Sequence, residues 1–274
     1  MKIPLYSRSM RTSWTMPLGV AEEPSLILFC FPFAGGGATA YSHWIGRFPA
    51  NLQVIGVQLP GRGERINEAP FRTIPALADA FIEATQLMMQ QPFGFFGHSM
   101  GAILAYEIAS RLRSLMRSAP QFLIASACIA PHVRLNIPAR SALSEEDLIE
   151  ELRALNGTPS NVLTHRELLE IALPAIRADF AAIETYRCSN IDPLDCPILA
   201  ITGTDDHRVE LDKQQAWRHL THANFTHCVL PGDHFSVLSR PEPMITTLRK
   251  YIRNFSETND PAGTQISDDF PNRV

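Results

Sequence analysis

Residues 93–115 confine the fold of this chain more tightly than any other stretch. A strand-like run, Phe93–His98 (FGFFGH), passes without a linker into an amphipathic segment at 100–115, and the junction reads Gly97-His98-Ser99-Met100-Gly101. G-x-S-x-G between a strand and a helix is a sharp turn. Both glycines are there for space, because a Cβ at either position would clash in so tight a bend. The serine is pushed out above the sheet at a helix N-terminus, which makes it a candidate nucleophile.

The rest of the chain repeats this alternation. Continuous apolar runs at 25–33, 52–59, 93–98, 121–129, 197–202 and 224–230 are separated by helical periodicity at 39–48, 74–89, 100–115, 210–220 and 243–255. Runs that are apolar throughout are what strands covered on both faces look like. Strand-then-helix repetition predicts an α/β fold, a mostly parallel sheet wrapped by helices. The rhythm breaks at 134–188, which carries no strand signal and two helical segments. The first opens on Ser144 with Asp147 three residues on, and stops at Asn156-Gly157. The second covers 166–187, where Pro174 should kink it or split it in two. A helical insertion in an alternating chain reads as a lid. The expected organisation is an N-terminal extension at 1–24, one domain at 25–255 with the lid at about 134–188, and a disordered tail at 256–274.

Composition excludes several functions. Hydrophobic residues make up 45% and charged residues 19%, ample for a packed core and unlike a disordered chain. The 28 acidic against 24 basic residues give a net charge of −4, without the basic excess that nucleic-acid binding needs. The longest apolar runs stop far short of the ~20 residues of a membrane span, and Arg8 and Arg11 stand where a signal peptide would be apolar. Five cysteines with no CxxC pair argue against a zinc or disulfide scaffold and for a reducing, cytoplasmic setting. No metal, organic cofactor, nucleic acid or membrane is expected, and the chain is expected to be a monomer.

A nucleophilic serine needs a base within hydrogen-bond reach, and the base needs a carboxylate to fix its tautomer. In this architecture the order along the chain is serine, acid, histidine. His234 lies in Leu230-Pro231-Gly232-Asp233-His234-Phe235, between the last strand and the last helix, which is the right place for the base. The acid candidates follow the run at 197–202, where Asp205 and Asp206 compete within GTDDHRV. After the first strong strand, FPFAGGGA at 31–38 lacks the lysine of a P-loop and the spacing of G-x-G-x-x-G. Beside a reactive serine, such a loop can turn backbone N–H groups inward to hold an oxyanion.

Taken together, FPFAGGGA (31–38), QLPGRGER (58–65), FGHSMGA (96–102), GTDDHRV (203–209) and PGDHF (231–235), with LNGTP (155–159) and ADFAAIETYR (178–187), resemble the type II thioesterases of non-ribosomal peptide and polyketide synthases. The resemblance runs collinearly from about residue 25 to 255. It implies an α/β-hydrolase fold with a mobile helical lid, and hydrolysis of acyl groups from the phosphopantetheine arm of acyl or peptidyl carrier proteins, which clears aberrant or stalled units. It implies Ser99 as nucleophile, His234 as base and Asp206 as acid, with the backbone N–H groups of Ala34 and Met100 as oxyanion donors. Ser236 stands where family members often carry a second aromatic. On this reading the lid leucines Leu148, Leu152, Leu155, Leu168 and Leu169 suit closure over an acyl chain, and Arg62 and Arg65 are candidates for carrier docking. The alternatives are another lidded serine esterase or acyltransferase, or a non-catalytic binding protein on the same fold.

Overall fold

The computed structural model describes residues 12–21, 24–133, 138–188 and 191–256. The continuous apolar runs become strands β1 (Thr15–Pro17), β2 (Leu26–Phe31), β3 (Leu52–Val57), β4 (Phe93–His98), β5 (Leu123–Ser126), β6 (Ile198–Gly203) and β7 (Phe225–Leu230). They form one sheet in the order β1-β3-β2-β4-β5-β6-β7. Every pair is parallel except β1 with β3. The α-helices are α1 (Ile74–Thr85), α2 (Met100–Ser114), α3 (Glu145–Leu155), α4 (Ser160–Thr164), α5 (Arg166–Thr185), α6 (Leu211–Gln215), α7 (Ser236–Ser239) and α8 (Glu242–Ser256).

Side-chain alternation turns each apolar run into two buried faces. In β2, Ile27, Phe29 and Phe31 join a core that includes Leu77 and Phe81 of α1 and Leu104 and Ile108 of α2. Leu26, Leu28 and Cys30 join a second core on the opposite face with Trp44 and with Ile245 and Leu248 of α8. In β4, Phe95 belongs to the first core and Phe96 to the second. The sheet is therefore covered on both sides, and the functional loops emerge at the C-terminal ends of its parallel strands.

Between β5 and β6 the described residues hold the helices α3, α4 and α5 and no strand of the sheet. Leu148 and Leu152 of α3 pack with Leu169, Leu173, Ile176 and Phe180 of α5 in a small core of their own. Two expectations change here. The helix α5 runs unbroken from Arg166 to Thr185 with Pro174 inside it. The missing N–H deprives the Glu170 carbonyl of its partner, but both residues are exposed, so water can meet the loss while the buried face holds the helix together. Leu148 and Leu169 are spent on the lid's own core and Leu168 faces solvent, so of the five leucines only Leu152 and Leu155 line the central cavity.

The N-terminal segment contributes more than expected. Thr15–Pro17 pairs with β3 as an antiparallel edge strand, and Trp14 packs edge-on to Phe81 of α1. Residues 1–11, 22–23, 134–137 and 189–190 lie outside the described residues, as does 257–274, which holds all of the expected disordered tail except Ser256.

Candidate active site

Ser99 occupies the turn between β4 and α2 with φ 54° and ψ −119°, a strained conformation for a residue with a Cβ. The surrounding packing imposes it. A Cβ on Gly97 would run into the backbone of Gly101 and Ala102, and a Cβ on Gly101 into the carbonyl of Phe31. The strand end is tied down by Ser99 N–H donating to the Ser126 carbonyl at 2.9 Å. Met100 is the first residue of α2. Its N–H is one of the helix's four N-terminal donors without an intrahelical acceptor, and it points along the positive end of the helix dipole.

The loops after β6 and β7 are stitched together. Gly203 lies so close to Gly232 that a Cβ would strike its carbonyl. Thr204 N–H donates to the Leu230 carbonyl at 2.8 Å, and Asp205 N–H donates to the Gly232 carbonyl at 2.9 Å. This seam sets Asp206 against His234, whose Nδ1 lies 2.7 Å from Asp206 Oδ2. The second carboxylate oxygen, Oδ1, accepts the Arg208 N–H at 3.1 Å. Burial pushes the Asp206 carboxyl up, but its hydrogen bond with His234, the His234 charge, the Arg208 N–H and the His98 charge together hold it below the usual range. An ionised Asp206 accepts from Nδ1–H, which leaves Nε2 of a neutral His234 as a proton acceptor.

Ser99, His234, Ala34 and Met100 all line one cavity of about 920 Å³ between the body and the lid. The lid contributes Leu152, Leu155, Phe180 and Ile183. The structure thus gathers all five sequence-derived site residues around one space or directly behind it, with Asp206 buried behind His234. Asp205, the other candidate acid, is exposed. Among the described residues no group of three or more His, Cys, Asp or Glu could hold a metal ion, and no helix is long and apolar enough to cross a membrane.

Three groups next to this site escape the sequence reading. Arg208 donates Nη2 to the carbonyls of Ala154 and Leu155, at 3.1 and 3.0 Å, so the residue whose N–H holds Asp206 also holds the end of α3. Gly157, just past the left-handed Asn156 that ends α3, lies against the Phe235 ring, where a Cβ has no room. Asp179 of α5 is 1% exposed and forms a two-pronged ion pair with Arg62, at 2.6 and 2.8 Å. One sequence signal could have flagged Asp179. It is a carboxylate on the apolar face of LPAIRADFAAI, where a buried charge requires a partner.

That pairing corrects the docking expectation for the two loop arginines. Arg62 is 9% exposed and committed to Asp179. Arg65 is 6% exposed, stacked 4.2 Å over the Trp14 ring and bonded to Glu68 and the Gln58 carbonyl. Neither is a free surface cation.

Residues 26–252 match the family model described as Thioesterase domain. The gramicidin S biosynthesis protein GrsT of Aneurinibacillus migulanus is 37% identical over 245 residues, covering 89% of this chain and 96% of that protein. Among solved structures, the type II thioesterase BorB from the borrelidin biosynthetic cluster superposes with a TM-score of 0.80 at 37% identity, covering 86% of this chain and 96% of the other. The RedJ thioesterase from the prodiginine pathway of Streptomyces coelicolor superposes with a TM-score of 0.79 at 34% identity, covering 84% and 92%.

Proposed function

The chain belongs to the thioesterase family, and on that premise we propose that it hydrolyses acyl thioesters carried on the phosphopantetheine arms of acyl or peptidyl carrier proteins, clearing aberrant or stalled units from a non-ribosomal peptide or polyketide assembly line. The observation that carries the reading is the Asp206–His234 hydrogen bond at the wall of the cavity onto which Ser99 opens.

Ser99 Oγ attacks the thioester carbonyl carbon while His234 Nε2 takes the hydroxyl proton. Asp206 holds Nδ1–H and stabilises the imidazolium that forms. The carbonyl oxygen becomes an oxyanion and accepts from the N–H groups of Ala34 and Met100. The C–S bond then breaks, the pantetheine sulfur leaves with the proton from His234, and the acyl group stays on Ser99. Water entering the same site gives a proton to His234 and attacks the ester. A second oxyanion collapses, the free acid departs and Ser99 recovers its proton.

The relatives named for gramicidin S biosynthesis and for the borrelidin biosynthetic cluster support the carrier-bound substrate, as does a cavity large enough for an acyl chain rather than an acetyl group alone. The test measures kcat/KM for one acyl group on a carrier protein, on coenzyme A and on a short thiol, with Ser99→Ala as control. Contacts remote from the reacting carbon should favour the carrier, and Ser99→Ala should lose ~10³-fold or more. Equal values on all three donors would remove the carrier from the reading, and near wild-type turnover by Ser99→Ala would remove the serine mechanism.

A further inference from the structure

Neither PGRGER at 60–65 nor ADFAAIETYR at 178–187 supplies a residue to the triad. The structure joins them, across 117 positions of sequence, in the Arg62–Asp179 ion pair. The pair does not close on itself. Asp179 Oδ2 also accepts the Gly35 N–H at 2.7 Å, and Arg62 Nη1 also donates to the Gly36 carbonyl at 2.9 Å. Both anchored groups belong to the loop after β2, directly following Ala34.

We infer that Arg62 and Asp179 are positioning residues that set the oxyanion-binding loop, so that the Ala34 N–H faces the substrate carbonyl only while α5 of the lid is docked. The inference rests on the serine mechanism above. The Gly35 amide shares its peptide plane with the Ala34 carbonyl, so fixing it in direction fixes one side of the Ala34 Cα. The Gly36 N–H donates to the Phe33 carbonyl at 2.8 Å and closes the turn from the other side. Gly35 itself has φ +80°, and a Cβ there would lie 2.9 Å from Cγ1 of Ile176, one turn before Asp179 on α5. The loop is therefore shaped against α5 and bonded to it.

Stability alone gives a weak reason for this arrangement. A buried ion pair loses much of its Coulombic gain to desolvation, and apolar residues of similar volume often stabilise a fold equally well or better. What an apolar pair cannot supply is a directional acceptor for the Gly35 N–H and a directional donor to the Gly36 carbonyl. Oxyanion donors act through such preset direction, and a misplacement of about 1 Å can cost ~10²-fold in rate.

The experiment compares Asp179→Asn, Arg62→Lys and the double variant Asp179→Leu/Arg62→Met with wild type. It measures kcat, KM, melting temperature and affinity for a boronic acid that forms a tetrahedral adduct on Ser99. The expected result is a kcat lower by ~10–100-fold in each variant, a KM within about threefold of wild type, and a boronate affinity weakened in proportion. The double variant should stay folded, with a melting temperature lowered by no more than the two unmet loop hydrogen bonds explain, while keeping the low kcat. A kcat within about threefold of wild type in the double variant overturns the inference, as does a kcat loss without a matching loss of boronate affinity. If the variants fail to fold, the wild-type boronate adduct decides. An Ala34 N–H bonded to the adduct oxygen, with the Asp179–Gly35 contact kept, supports the inference, and an Ala34 N–H turned away overturns it. Ser99→Ala separates this from the parent reading, because a dead Ser99→Ala beside fully active pair variants defeats only the positioning role.

Discussion

Asp205 and Asp206 are neighbours in the chain and opposites in setting. Asp206 is 6% exposed and bonded through Oδ2 to His234, whereas Asp205 is exposed and its backbone N–H serves the seam to Gly232. An amide at position 206 would favour the wrong imidazole tautomer and offer no charge to the imidazolium, which can cost ~10⁴-fold. Asp206→Asn should therefore lose nearly all turnover, while Asp205→Asn should stay within about threefold of wild type. Steady-state rates on one acyl carrier substrate check this, and the reverse ranking would move the acid to Asp205.

Gly157 sits where the lid meets the histidine loop. The Phe235 ring it touches is wedged edge-on against Phe33 and His234, with ring centroids 5.1 and 4.9 Å apart, so it cannot swing away freely. Gly157→Ala should push the ring toward His234, lowering kcat by ~10-fold and stability by about 1–3 kcal/mol. Adding Phe235→Leu should relieve the overlap and recover part of the loss. A Gly157→Ala enzyme with wild-type kcat and melting temperature would show that the lid shifts without disturbing the base.

His98, beside the nucleophile, has its Nδ1 3.0 Å from Ser126 Oγ. Burial, reinforced by the nearby His234 charge, pushes its pKa down to about 3. Between about pH 3 and the ordinary histidine value near 6.5, the unfolded chain binds a proton at this position and the folded chain does not. By linkage, stability from this residue rises with pH across that window and is lost as pH falls through it, by up to ~1.4 kcal/mol per pH unit. His98→Gln keeps a polar group for Ser126 and removes the titration. Denaturant melts from pH 7 to 4 should show a shallower loss of stability in His98→Gln than in wild type. Parallel curves would mean that His98 takes up its proton alike in the folded and the unfolded chain.

How much could be read from the sequence follows the range of each interaction. The elbow around Ser99 is legible because its causes are local: an apolar strand, two glycines and a helix within 23 residues. His234 is legible because a short loop between strand and helix sits at a fixed place in an alternating chain. The choice of Asp206 over Asp205 needs the family resemblance, because it depends on how Gly203 packs on Gly232, a contact between loops with no local signature. The Arg62–Asp179 pair joins two motifs whose local sequence gives no sign of each other. The lid leucines are misjudged for a related reason, since periodicity marks an apolar face without saying whether it covers a ligand or another helix. The edge strand at Thr15–Pro17 is missed because three residues ending in proline carry no strand pattern.

Ile183 offers a way to measure what the cavity holds. It lies on α5, half-buried, packs against both the main core and the lid core, and lines the cavity with Phe180 one turn before it. It is separate from the triad and from the Arg62–Asp179 pair, so a larger side chain there should remove space without touching the reacting atoms. If the cavity receives the acyl chain, Ile183→Trp should lower kcat/KM for a long acyl group by ~10-fold or more relative to acetyl, because shape discrimination in an apolar pocket is worth about 1–3 kcal/mol per methylene. Ile183→Val, a smaller change costing about 0.5–1.5 kcal/mol of stability, should leave the long-chain rate unchanged or raise it. A melting temperature for each variant guards against simple unfolding, and acetyl turnover serves as the internal reference. A uniform loss across chain lengths in a folded Ile183→Trp enzyme would place the acyl chain elsewhere and reduce the cavity beneath the lid to a passage for the pantetheine arm.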